Sequence, residues 1–133
     1  MDLDGPERAK LPTVSDQMKA WSSALAAEII DWPQLTQKAF FGFTALYRGK
    51  MMFGALPRTR SFKGNSVAFR FDHMSRAILD RIEKDPRIAA FDRDKKRWFT
   101  FELSSDTELH DALAWLTLAY KAATSGKKRS LRL

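Results

Sequence analysis

The chain has 133 residues, 44% apolar and 29% charged, with 23 lysines and arginines against 16 acids for a net charge of +7. With no cysteine, disulfides, thiol catalysis and thiolate metal sites are excluded. No apolar run approaches the ~18–20 residues of a membrane span, and the acidic start (Asp2, Asp4, Glu7) is unlike a secretory signal. The expectation is one soluble, cytoplasmic domain without a membrane segment, long enough to bury roughly two-thirds of its unfolded surface.

Residues 1–13 carry Pro6 and Pro12 and no periodicity, and are expected to form a disordered arm before a single domain over 14–125. Ser15 or Thr13 can cap a first helix in which Met18, Trp21, Leu25 and Ile29 recur at helical spacing, with Pro33 ending it. The aromatic stretch 38–56 follows, cut by glycines. Gly49 reads as a hairpin turn between strands at about 43–48 and 50–56, while Gly42 and Gly54 suit a bulge or a close backbone approach. Both faces of 50–56 are apolar, with Met51, Phe53 and Ala55 expected on one and Met52 and Leu56 on the other. A strand of that kind is covered on both sides.

Residues 57–65 make a basic loop, and Ser66–Phe71 alternates with Val67, Phe69 and Phe71 inward. Asp72 can cap a short helix through Ile78, Leu79 and Ile82 that stops before Pro86. Ile88–Phe91 reads as a strand. A turn over 92–96 leads to a second alternating strand in which Phe99, Phe101 and Leu103 face inward and Trp98, Thr100 and Glu102 outward. Ser105 and Glu108 have capping-box spacing. Beyond them Leu109, Ala112, Leu113, Leu116, Tyr120 and Ala123 form a buried helical stripe that Gly126 can terminate, and 126–133 is expected to be a disordered basic tail. Trp115, Leu118 and Ala122 form a second stripe, which either the first helix or a second copy of the chain could cover. Segregated helices on a mostly antiparallel sheet define a two-layer α+β domain of order α-β(3,4)-α-β(2)-α.

The run Phe41-Gly-Phe-Thr-Ala-Leu-Tyr-Arg-Gly-Lys-Met-Met-Phe-Gly-Ala-Leu56 resembles the Phe-Gly, Leu-Tyr, Gly, Met-Phe-Ala-Leu pattern of TfoX N-terminal domains. Trp98–Leu103 and the helix after it are similar to the close of YjbR/MmcQ-like proteins. The resemblance spans roughly residues 38–123. It implies a YjbR-like architecture shared with type III secretion chaperones and a small DNA-binding or competence-regulatory module, and it carries over no catalytic residue.

Charge is polarised along the chain. Segments 58–70, 93–97 and 127–132 carry +4, +3 and +4, together +11 against +7 for the whole, so the remainder is −4. Clustered bases gain affinity for nucleic acid by releasing its counterions. The candidate nucleic-acid-binding residues are Arg58, Arg60, Lys63, Arg70, Arg93, Lys95, Lys96 and Arg97, with Trp98 able to stack. A protein-interaction module, dimeric and offering an apolar sheet face or groove, is the alternative. His73 and His110 have no second ligand at metal spacing, no nucleophile or phosphate-loop motif is present, and Asp80, Glu83 and Asp85 alternate with bases as surface pairs do. Neither enzyme activity, metal nor cofactor is expected.

Overall fold

The computed structural model describes residues 11–91 and 97–131, with side chains of the last helix followed as far as Ala123. Helix α1 (Asp16–Glu28) is capped by Ser15, whose Oγ accepts the Met18 N–H at 3.0 Å. Four strands follow: β1 (Leu35–Phe40), β2 (Phe43–Arg48), β3 (Met51–Pro57) and β4 (Ser66–Arg70). Helix α2 (Arg76–Lys84), β5 (Ile88–Ala90), β6 (Trp98–Glu102), a 3-10 turn (Asp106–Glu108) and helix α3 (Leu109–Leu131) complete the described chain. The six strands form one antiparallel sheet in the order β1-β2-β3-β4-β6-β5. The α+β class and element order are those expected from the sequence.

The helices cover one sheet face. Val67, Phe69, Phe71, Phe99, Phe101 and Leu103 point inward as expected, joined by Leu46, Phe53 and Leu56 from β2 and β3 and by Met18, Trp21, Leu25 and Ile29 from α1 and its end. Period two on each strand and period 3.6 on α1 therefore converge on one core. The two stripes of α3 merge into one broad buried arc of Ala112, Trp115, Leu116, Ala119, Tyr120 and Ala123, flanked by half-buried Leu109, Leu113, Leu118 and Ala122. Trp115 stacks on Phe69 at 5.3 Å between ring centroids, with Arg81 of α2 over its other side at 4.9 Å. Trp115 of the second stripe is thus covered inside one chain, by β4 and α2, while Leu118 and Ala122 are half-buried.

Four local expectations are corrected. A register shift opposite Leu46 and Tyr47 leaves Phe53 as an extra residue in β3. A bulge reverses side-chain parity beyond it, so Leu56 joins Met51 and Phe53 in the helix-side core while Ala55 turns outward with Met52. Gly54 sits beside this bulge under Leu116. Secondly, α2 is capped by Ser75, whose Oγ accepts the Ile78 N–H at 3.2 Å, because Asp72 is drawn to Arg70 instead. Thirdly, Ser105 makes no side-chain cap, although Glu108 does reach back to accept the Ser104 N–H. Finally, α3 continues past Gly126 to Leu131 rather than terminating at that glycine. One glycine costs a helix only about 1 kcal/mol, which the long packed stretch before it outweighs.

Candidate functional site

The sheet face away from the helices is built by pairing. Phe43 lies opposite Pro57, Ala45 opposite Ala55, Ala55 opposite Ala68, Ala68 opposite Thr100 and Arg70 opposite Trp98. Small residues at the centre with large ones around them leave a depression. Phe43, Ala55, Phe62 and Ala68 form a second buried cluster there, with Leu11, Met52 and Trp98 half-buried against it. The depression is a groove of about 700 Å³, to which Phe40, Phe41, Phe91 and Arg60 also contribute.

Local chemistry shapes its walls. Phe40 pairs with Phe43, so β1 and β2 join through the two-residue loop Phe41-Gly42. Both loop residues have positive φ, +48° and +89°, the pattern of a type I′ hairpin, which favours Asn-Gly. The Gly42 carbonyl accepts three successive N–H groups, from Arg58, Thr59 and Arg60, at 2.8–3.0 Å. A Cβ on Gly42 would stand 2.6 Å from Arg60 Cγ, so the close approach expected at this glycine is real and pins the Arg60 stem. The segment 12–14 runs along the same loop: Val14 N–H donates to the Thr59 carbonyl and Ser61 N–H to the Pro12 carbonyl. These bonds turn Phe62 back into the groove. It lies 4.5 Å from Phe43 and 5.3 Å from Phe91 between ring centroids.

Of the basic residues singled out from sequence, Arg58, Arg60 and Lys63 are exposed on the loop beside this groove, and Arg60 lines it. Arg97 is exposed at the start of β6, next to Trp98 in the groove wall. Arg70 is half-buried and its Nη2 forms an ion pair with Asp72 Oδ1 at 2.9 Å, which offsets its charge. Arg93, Lys95 and Lys96 lie outside the described residues, as do the side chains of Lys127, Lys128 and Arg129. The predicted basic site is therefore brought together only in part, and around an apolar centre that sequence reasoning did not locate. The signal that pointed toward it was the doubly apolar strand β3 together with Trp98 on the outward register.

A second polar assembly also escaped notice. Arg87 donates to both Asp85 oxygens at 2.9 Å, to Glu108 at 3.1 Å and to Asp111 at 3.0 Å, while lying over the Phe101 ring. Its guanidinium holds the Asp85 carboxyl below its ordinary value, and the carboxylates raise Arg87 in turn, Asp85 most of all. Glu108 is also held low, first by the Ser104 N–H and then by Arg87. This knot clamps the α2–β5 turn to the start of α3 and is structural. Among the described residues no group of three His, Cys, Asp or Glu could hold a metal ion, His73 and His110 are exposed, and no helix is long and apolar enough to cross a membrane.

Fold and site together define a two-layer α+β domain with one sheet face packed by helices and an aromatic groove on the other. No family model, curated protein or solved structure matches the chain, so its likeness to TfoX N-terminal and YjbR-like proteins rests on the motifs quoted above.

Proposed function

We propose that the protein is a non-enzymatic binding module that takes an apolar group of its partner into the outer-face groove, with the basic rim attracting negative charge beside that group. The observation that carries this reading is the apolar depression with exposed aromatic residues around its rim. Phe41 stands there at a φ of +48°, 70% exposed, with its ring edge-to-face against Phe40 at 4.8 Å. Phe40 and Phe91, 43% and 55% exposed, share the rim, giving a concentration of exposed aromatic surface that marks an interaction site. The polar side chains of the described lining are Thr59 and Arg60. They supply grip and charge but no general base.

The test is Phe41→Asn, which suits the turn. The variant should melt higher than the parent yet bind the apolar anionic dye 8-anilinonaphthalene-1-sulfonate more weakly. Unchanged dye affinity in a folded variant would remove the rim from the site and the reading with it. Self-association belongs to the same reading and would use the outer face or an edge strand of the sheet, β1 or β5.

A second reading is nucleic-acid binding, favoured by the exposure of Arg58, Arg60, Lys63 and Arg97 around the groove and in line with the regulatory role the family resemblance implies. Four phosphate contacts give log K against log salt a slope of about −3 to −4. A slope near zero, or one that persists when Arg58, Arg60 and Lys63 are all replaced by Gln, would set this reading aside.

A further inference from the structure

The groove lining has two chemically different parts. One is polar, Thr59 and Arg60, whose Nη1 donates to the Leu11 carbonyl at 3.3 Å, and the other is apolar, with Phe62, Met52, Ala68, Phe91 and Trp98 among its members. Arg60 is the charged member of the described lining and no carboxylate belongs to it; Glu102, on the same sheet face, lies instead against Gly64. A guanidinium has five donors in a planar fork, and one bond to a main-chain carbonyl leaves donors to meet a carboxylate side by side. The arginine is also held in place, since its Cβ and Cγ lie where a side chain on Gly42 would stand. A volume of about 700 Å³ falls in the range of small-molecule sites, roughly 300–1,000 Å³, which are mostly apolar with a few placed polar groups.

Resting on the groove reading above, we propose that the ligand is a small amphiphilic carboxylate, an acyl or aryl chain seated on Phe43, Phe62, Met52 and Trp98 with its carboxylate on Arg60 beside Thr59. Charge complementarity selects the head group, and the aromatic floor selects the tail.

Calorimetric titration of the full chain with decanoate and decanol tests this directly. Decanoate should bind roughly tenfold or more tightly than decanol, as a charge-assisted hydrogen-bonded pair implies. Arg60→Gln should erase that preference while leaving decanol affinity unchanged, and Arg60→Lys should restore part of it. Lys19→Gln removes an equal charge from an exposed position of α1, on the opposite side of the sheet, and should change nothing. Equal binding of the two ligands by the parent protein, or an equal loss in Lys19→Gln, would overturn the carboxylate assignment and leave the groove reading standing. The location has its own readout. Trp21, Trp32 and Trp115 belong to the helix-side core and Trp98 to the groove, so 10-bromodecanoate should quench the parent and not Trp98→Phe. Equal quenching in both, or no binding of either ligand, would overturn the groove reading itself.

Discussion

Replacing Arg87 with Met keeps an apolar chain over Phe101 and removes only the charge and its donors. The side-chain exposure of Arg87 is 33%, and that of Asp85, Glu108 and Asp111 is 15%, 21% and 48%. Exposed ion pairs contribute about 0–1 kcal/mol, while stripping one partner from a buried pair costs about 3–5 kcal/mol. The two-pronged contact to Asp85 is the most sheltered of the set and Asp111 the least, so the loss should be roughly 2 kcal/mol. Three carboxylates would be left facing one another. The pH dependence follows from the carboxyls that Arg87 helps to hold low, Asp85 and Glu108. Their contribution is complete above the unfolded carboxylate values near 4 and is lost as pH falls through the lower folded values. Urea unfolding of parent and variant at pH 7, 5 and 3 should therefore show a full gap at the first two and a narrower one at the third. A gap at pH 3 as wide as at pH 7 would mean that packing, not charge, was lost. A gap at pH 7 under about 0.5 kcal/mol would place the knot with ordinary surface pairs.

Other outcomes follow from the same packing. Phe101, fully buried between the sheet and the helices, should lose about 3–5 kcal/mol on truncation to Ala, read by chemical denaturation. Gly42→Ala meets both a φ of +89° and Arg60 Cγ at 2.6 Å; a loss of about 1–3 kcal/mol with weakened decanoate binding is expected, and a neutral variant would contradict the close approach. Trp21→Phe removes the 2.7 Å bond from the indole N–H to Asp106 Oδ1 while keeping the ring packed, and should lower stability by about 1–3 kcal/mol at neutral pH. Sedimentation velocity across the micromolar range checks self-association: a concentration-dependent dimer that decanoate displaces would place it on the outer face, and a monomer throughout would remove it.

The inner sheet face was legible from residue spacing alone. Val67, Phe69 and Phe71 share their burial with Phe99, Phe101 and Leu103 because alternation is a property of each strand by itself. The Ser15 cap and the Gly49 turn were legible for the same reason, since their partners lie a few residues away. The apolar stripes of α3 were legible as well, but not what covers them: period reports burial and not the neighbour that supplies it.

What the tertiary structure alone decided has a common cause, in that each feature joins groups distant in the chain. The Phe53 bulge belongs to the pairing of β3 with β2, and it reassigned Ala55 and Leu56 to opposite faces. The Arg87 knot draws on 85, 108 and 111. Phe62 sits in a loop whose composition reads as basic and solvated, and it is buried only because the Gly42 carbonyl and residues 12–14 fold that loop back over Phe43. The groove is the sum of these long-range choices. Side-chain type along the chain set which surfaces would be apolar, and three-dimensional pairing set which of them the protein left open.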